Sequence, residues 1–116
     1  SMNMAINPNV GSRKLYEDDN VILWEFELAP GEKTPVHTHT HDYFFHVIDG
    51  TLLEVFDAND EPLGSFQAPS GETFSFTVEN GELVSNDHRS LRINATHAAR
   101  NGGPTRYREV LVEKKR

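Results

Sequence analysis

The sequence predicts an all-β domain, and three observations carry the prediction. Short stretches rich in β-branched and aromatic residues recur along the chain, turn signals separate them at close intervals, and no run of ten or more residues keeps helical spacing. Strands this short and this regularly punctuated build a sandwich or a barrel.

The first strand is Val21–Leu28. Ile22, Trp24, Phe26 and Leu28 fall on one face, Glu25 and Glu27 on the other, and Ala29-Pro30-Gly31 ends it as a turn. Tyr43–Ile48 and Thr51–Phe56 follow on either side of Asp49-Gly50, and Asn59-Asp60 leads into Leu63–Gln67. Ser70-Gly71 precedes Thr73–Val78, and Asn80-Gly81 separates that strand from Leu91–Asn94. Gly102-Gly103-Pro104 leads to a closing strand at Tyr107–Glu113. The stretch from Tyr43 to Phe56 is apolar on both faces, with Tyr43, Phe45 and Val47 on one and Phe44 and Ile48 on the other. A half-exposed sheet alternates, so a second sheet or a second subunit is expected over the outer face, and a homodimer is predicted.

With 116 residues, 36% of them hydrophobic and 25% charged, the chain has the size of one domain with one modest core. It divides into an N-terminal arm over residues 1–20, a β domain over 21–113 and a basic tail over 114–116. Ser1-Met2 reads as an extra residue before a natural start at Met2 and is set aside. The net charge of −7 opposes phosphate backbones and anionic lipids, so neither nucleic acid nor a membrane is expected as a partner. The N-terminus shows no charged-then-apolar signal pattern, and a cytoplasmic location is expected.

Cysteine is absent, which removes disulfides, thiolate metal sites and thiol nucleophiles together and leaves histidine as the strong nitrogen ligand. Four of the six histidines fall in one short segment, as His37, His39, His41 and His46. On an extended chain His37 and His39 point to the same side about 6 to 7 Å apart, a spacing from which two imidazoles converge on one ion. His41 lies about 13 Å from His37 on the same geometry, too far to share that ion unless the chain turns.

These residues resemble the cupin superfamily. Its first motif runs glycine, five residues, His-x-His, three or four residues, glutamate, six residues, glycine. Gly31, His37, His39 and Gly50 match it in register, and Tyr43 stands where the glutamate would be. The second motif centres on a histidine followed four positions later by asparagine, a spacing that His97 and Asn101 satisfy. Arg92 and Asn94 stand where its proline and glycine would be.

The resemblance covers roughly residues 21 to 113. It implies a double-stranded β-helix, the jelly-roll barrel of RmlC-like cupins, in which His37, His39 and His97 converge on one divalent metal, commonly Fe, Zn, Mn, Ni or Cu. Neutral imidazoles suit such borderline metals and suit Mg or Ca poorly. A site that has lost its carboxylate leaves the metal its full charge and an open position. Some cupin dioxygenases use such a centre, so the resemblance implies an oxygenase or isomerase acting on a small polar metabolite, with a non-catalytic ligand-binding or sensor protein as the alternative.

Tyr43 is expected near the metal as a phenol that donates a hydrogen bond to a bound water or substrate, and equally fits a core aromatic at the barrel rim. His41 and Asp42 are read as supporting or loop residues, His46 as structural or interfacial, and His88 as exposed. Trp24, Phe26, Phe45, Phe74 and Phe76 are expected to line a pocket or fill the barrel.

Overall fold

The computed structural model describes residues 6–116. Its strands, in chain order, are β1 (Arg13–Glu17), β2 (Val21–Leu28), β3 (His37–Thr38), β4 (Asp42–Asp49), β5 (Thr51–Phe56), β6 (Pro62–Ala68), β7 (Thr73–Glu79), β8 (Glu82–Ser85), β9 (Arg92–Asn94), β10 (Thr96–Asn101) and β11 (Tyr107–Lys114). They form two antiparallel sheets, one in the order β1-β2-β11-β4-β7-β8-β9 and one in the order β3-β10-β5-β6. The closing strand β11 lies between β2 and β4, so residues from both ends of the chain stand side by side. No helix among the described residues is long and apolar enough to cross a membrane.

Every second residue of the central strands points inward, as period-two alternation requires. Trp24, Phe26 and Leu28 of β2, Tyr43, Phe45 and Val47 of β4, Phe74 and Phe76 of β7, and Tyr107 and Leu111 of β11 are all buried in one core. Near-parallel rings bind β4 to β7, with Phe45 and Phe74 4.9 Å apart at 10°. Each buried aromatic contributes about 1.5–3 kcal/mol of burial free energy.

Four strands have no counterpart in the sequence reading. All residues of β1 are exposed, so it shows no alternation; it forms because Asp18 accepts the Asn20 and Val21 amides and turns the chain back onto β2. It lies in the segment read as an arm, whose residues 1–5 fall outside the described residues. Strand β3 has only two residues, β8 is four residues long, and β10 carries Ala98 and Ala99 where strand formers are expected, so pairing with neighbours decides all three.

Two glycines of the motif have backbone reasons. Gly31 closes the turn after β2 at φ 78°. A Cβ on Gly50 would lie 2.4 Å from the Ala68 carbonyl oxygen, because the β4–β5 turn presses against the end of β6.

The second-motif asparagine is a clasp. Buried Asn101 accepts from Thr51 Oγ1 at 2.6 Å and from the Gly103 amide at 2.9 Å. Its amide donates to the carbonyls of Leu28 and Thr105 at 3.0 and 2.7 Å. It joins the ends of β2, β5 and β10 to the loop before β11.

Candidate metal centre

His37 and His97 are direct partners across the β3–β10 ladder, which aims both imidazoles into the barrel. The His39 amide extends the ladder by donating to the Ala95 carbonyl at 2.9 Å, so His39 keeps the orientation of His37 two residues earlier. The rings form a near-equilateral triangle, with centroids 5.0 Å (His37–His39), 4.8 Å (His37–His97) and 5.0 Å (His39–His97) apart. Their candidate ligand atoms all lie within 4.8 Å of one another, and all three residues are buried. On the other side of the ladder Thr38 and Thr96 share a hydrogen bond of 3.0 Å between their hydroxyls.

Hydrogen bonds fix two of the tautomers. Nδ1 of His37 lies 3.0 Å from the Pro35 carbonyl oxygen and Nδ1 of His97 2.7 Å from that of Asn94. A carbonyl only accepts, so each Nδ1 carries the proton and donates, and the lone pair of each ring is on Nε2. His39 Nδ1 is buried with no hydrogen-bond partner.

Burial holds all three rings neutral. It lowers the His37 pKa against the opposing pull of the Pro35 carbonyl, and lowers that of His97 to about 4, with the nearby His37 adding to the effect. For His39, burial and then the neighbouring His97 and His37 push the pKa well below the ordinary value. Neutral imidazoles with oriented lone pairs and one orphaned buried nitrogen form a donor set that fits a borderline divalent metal.

Tyr43 stacks on His39 with centroids 4.3 Å apart and rings 14° from parallel. Burial, followed by the charges of Glu109 and Glu113, raises its hydroxyl pKa well above the usual tyrosine value, so it stands as a neutral phenol. His41 is half-buried outside the triad, His46 is exposed on the outer face with Nδ1 2.8 Å from Thr73 Oγ1, and His88 is exposed.

The triad and Tyr43 line a cavity of about 50 Å³ whose other walls are mostly apolar, including Phe26, Phe45, Phe76 and Leu111. Trp24 and Phe74 are buried but do not line it. Sequence reasoning missed one polar group inside: Glu109 lines the cavity, and its Oε1 accepts from the Tyr107 hydroxyl at 2.6 Å. Burial raises its pKa to about 8, so at neutral pH it is a carboxylic acid. Glu113, further along the same inward face, is buried and accepts from Trp24 Nε1 at 2.7 Å. The signal was the alternation Tyr107, Glu109, Leu111, Glu113, masked because Val110 and Val112 make the other face equally apolar.

No family model matches the chain, and no curated protein matches it. Solved structures do. A cupin domain from Bordetella pertussis Tohama I aligns at a TM-score of 0.65 with 17% identity, over 98% of this chain and 100% of that one. An RmlC-like cupin family protein with a double-stranded β-helix fold, from Methanocaldococcus jannaschii, aligns at 0.58 with 13% identity, over 98% and 93%. A sugar phosphate isomerase of the cupin superfamily from Silicibacter pomeroyi aligns at 0.53 with 17% identity, over 84% of this chain and 52% of that one. The likeness establishes the fold as the cupin double-stranded β-helix.

Proposed function

We propose that this chain, a cupin by fold, holds one divalent transition metal on His37, His39 and His97 and acts as a metal-dependent enzyme of the oxygenase or isomerase type on a small polar metabolite. The observation that carries the reading is the pair of backbone carbonyls that accept from Nδ1–H of His37 and His97, which keeps the proton on Nδ1 and presents both Nε2 lone pairs from buried, neutral rings. Fe, Zn, Mn and Ni all suit this donor set.

When bound, such a metal supplies Lewis acidity and an open position for a water or a ligand oxygen. The apolar walls keep bulk water from that position. Tyr43, fixed by its stack on His39, donates a hydrogen bond from a phenol that burial keeps protonated. Glu109, held by Tyr107, is the other proton-bearing group in the cavity wall. The structural neighbour that is a sugar phosphate isomerase supports the isomerase type by analogy of fold alone.

The second reading is a non-catalytic sensor or carrier for a small ligand, favoured by Tyr43 standing where the first cupin motif has a glutamate, since a site short of one ligand need not turn over a substrate. Elemental analysis of protein expressed without added metal, followed by a screen for oxygen uptake and metal-dependent turnover with small diketones, thiols and hydroxy acids, tests both. About one metal per chain with turnover supports the enzyme; metal and ligand-dependent thermal stabilisation without product supports the sensor. Absence of metal overturns the metal-dependent enzyme and leaves a metal-free binding or structural barrel.

A homodimer is part of the proposal. Phe44 and Ile48 stand 37% and 39% exposed on the outer face of β4, beside the outward Val110 and Val112 of β11. Sedimentation equilibrium of the wild type and of Phe44→Glu tests it, with the variant expected to be monomeric.

A further inference from the structure

The segment Ile6–Ser12 is in no strand and crosses one end of the barrel. It is tied at two points. At one, the Thr38 amide donates to the Asn7 carbonyl at 2.8 Å and Asn7 Nδ2 donates to the Val36 carbonyl at 3.1 Å. At the other, the Ser12 amide donates to the Glu25 carbonyl at 2.8 Å, and Ser12 Oγ accepts from the Glu27 amide at 2.9 Å. Between these ties, among the described residues, no backbone hydrogen bond joins Pro8–Gly11 to the barrel. The middle is held by packing: Val10, 1% exposed, reaches the core, and Gly11 lies so close to β2 that a Cβ on it would stand 2.7 Å from Trp24 Cβ.

Val10 has a second property. It lines the histidine cavity of about 50 Å³ and also an outer cleft of about 310 Å³, and Phe26 and His37 line both as well. The two spaces are neighbours, and of the three side chains that line both, Val10 is the one carried by a segment hydrogen-bonded only at its ends, whereas Phe26 and His37 belong to β2 and β3. Segments with few backbone bonds open at low free energy, and this one opens by withdrawing Val10 and lifting Gly11 off Trp24.

We infer that Ile6–Ser12 is a strap that gates the histidine triad, that Val10 is its plug, and that the outer cleft is the vestibule of one continuous site for a small polar molecule that carries no negative charge. This rests on the proposed function only in taking the triad as the destination. The chemical class follows from the charges lining the vestibule: Glu27 is paired with Arg106 and Arg108 and Lys33 with Asp60, while Glu32 accepts the Ala29 amide, makes no ion pair among the described residues and repels anions. Hydrogen-bonding groups such as Asn9 are what the vestibule has left to offer.

Carbethoxylation of histidine by diethylpyrocarbonate, followed by mass spectrometry of metal-free protein, tests the strap. His46 and His88, both exposed, are internal references. In the wild type, His37, His39 and His97 are expected to react far more slowly than the references. Val10→Ala is expected to speed His37 about tenfold, the ratio that loss of two buried methyl groups from the closed state implies. Ser12→Ala, which loosens a tie without touching the plug, is expected to act in the same direction. Val47→Ala removes the same two groups from the core away from both spaces and is the control for general loosening. Equal acceleration by Val47→Ala, no acceleration by Val10→Ala, or wild-type triad histidines as reactive as His46 would each overturn the strap.

For the ligand class, millimolar glycerol is expected to slow His37 relative to His46, and succinate is not. The reverse order, or no protection, overturns that part. Cobalt(II) binding by the same proteins is measured separately, so failure of the metal reading leaves the accessibility result standing and the two are told apart.

Discussion

His39 and Tyr43 stack face to face, 4.3 Å between centroids, so the residue standing in place of a glutamate supports a triad histidine with its ring. Tyr43→Phe keeps that contact and removes only the hydroxyl. Metal content is expected to equal that of the wild type, while affinity for a small oxygen ligand at the cobalt(II)-loaded site falls about fivefold, the worth of roughly 1 kcal/mol of hydrogen bond. Visible absorption of the cobalt(II) protein reads both. An unchanged ligand affinity would assign Tyr43 to packing alone.

Each triad histidine is expected to be required for the metal. His37→Ala and His97→Ala should both fall from about one equivalent to none by elemental analysis, while His88→Ala, exposed and outside the triad, retains it. Retention of stoichiometric metal by either triad variant would place the site elsewhere.

The metal-free protein is expected to be most stable near pH 6.5. The triad pKa values are lowered on folding, His97 to about 4, so between there and about 6.5 the unfolded chain binds more protons and stability rises with pH. Glu109 is raised to about 8, so from about 4.5 to 8 the folded state binds the extra proton and stability falls as pH rises. Below about 6.5 the histidines outnumber it; above, they no longer contribute a slope, and the decline from Glu109, at most about 1.4 kcal/mol per pH unit, is left. Urea unfolding from pH 4 to 9 tests this, and Glu109→Gln should flatten the alkaline limb. A wild-type stability that is level between pH 6.5 and 8 would contradict the buried acid.

Asn101→Ala is expected to destabilise the fold by about 2–4 kcal/mol with no change in metal content, because it leaves the Leu28 and Thr105 carbonyls and the Gly103 amide without their partner. Chemical denaturation and metal analysis of one sample separate the effects. Metal loss in a folded variant would instead tie Asn101 to the site.

How much was legible follows from how local each signal is. Strands β2 and β5 appear with the bounds the sequence predicts, Val21–Leu28 and Thr51–Phe56, because each alternates between a buried face and turn residues at its ends. The placement of His37 and His39 on one side of the chain was legible for the same reason. Strand β10 was not, since Ala98 and Ala99 have little intrinsic preference for strand, and its pairing with β5 supplies what they lack. Glu109 was not, because two apolar faces of one strand give no hint which turns inward.

By itself, the sequence determined an all-β chain, most of its strands and the shared orientation of His37 and His39, all of which depend on residues near one another in the chain. Only the tertiary structure decided that His97 faces His37, that Glu109 lies inside the barrel with the triad, and that Val10 lines both the cavity and the outer cleft. Those relationships join residues far apart in sequence. They are set by which strands pair and in what register, and alternation within any single strand does not specify that.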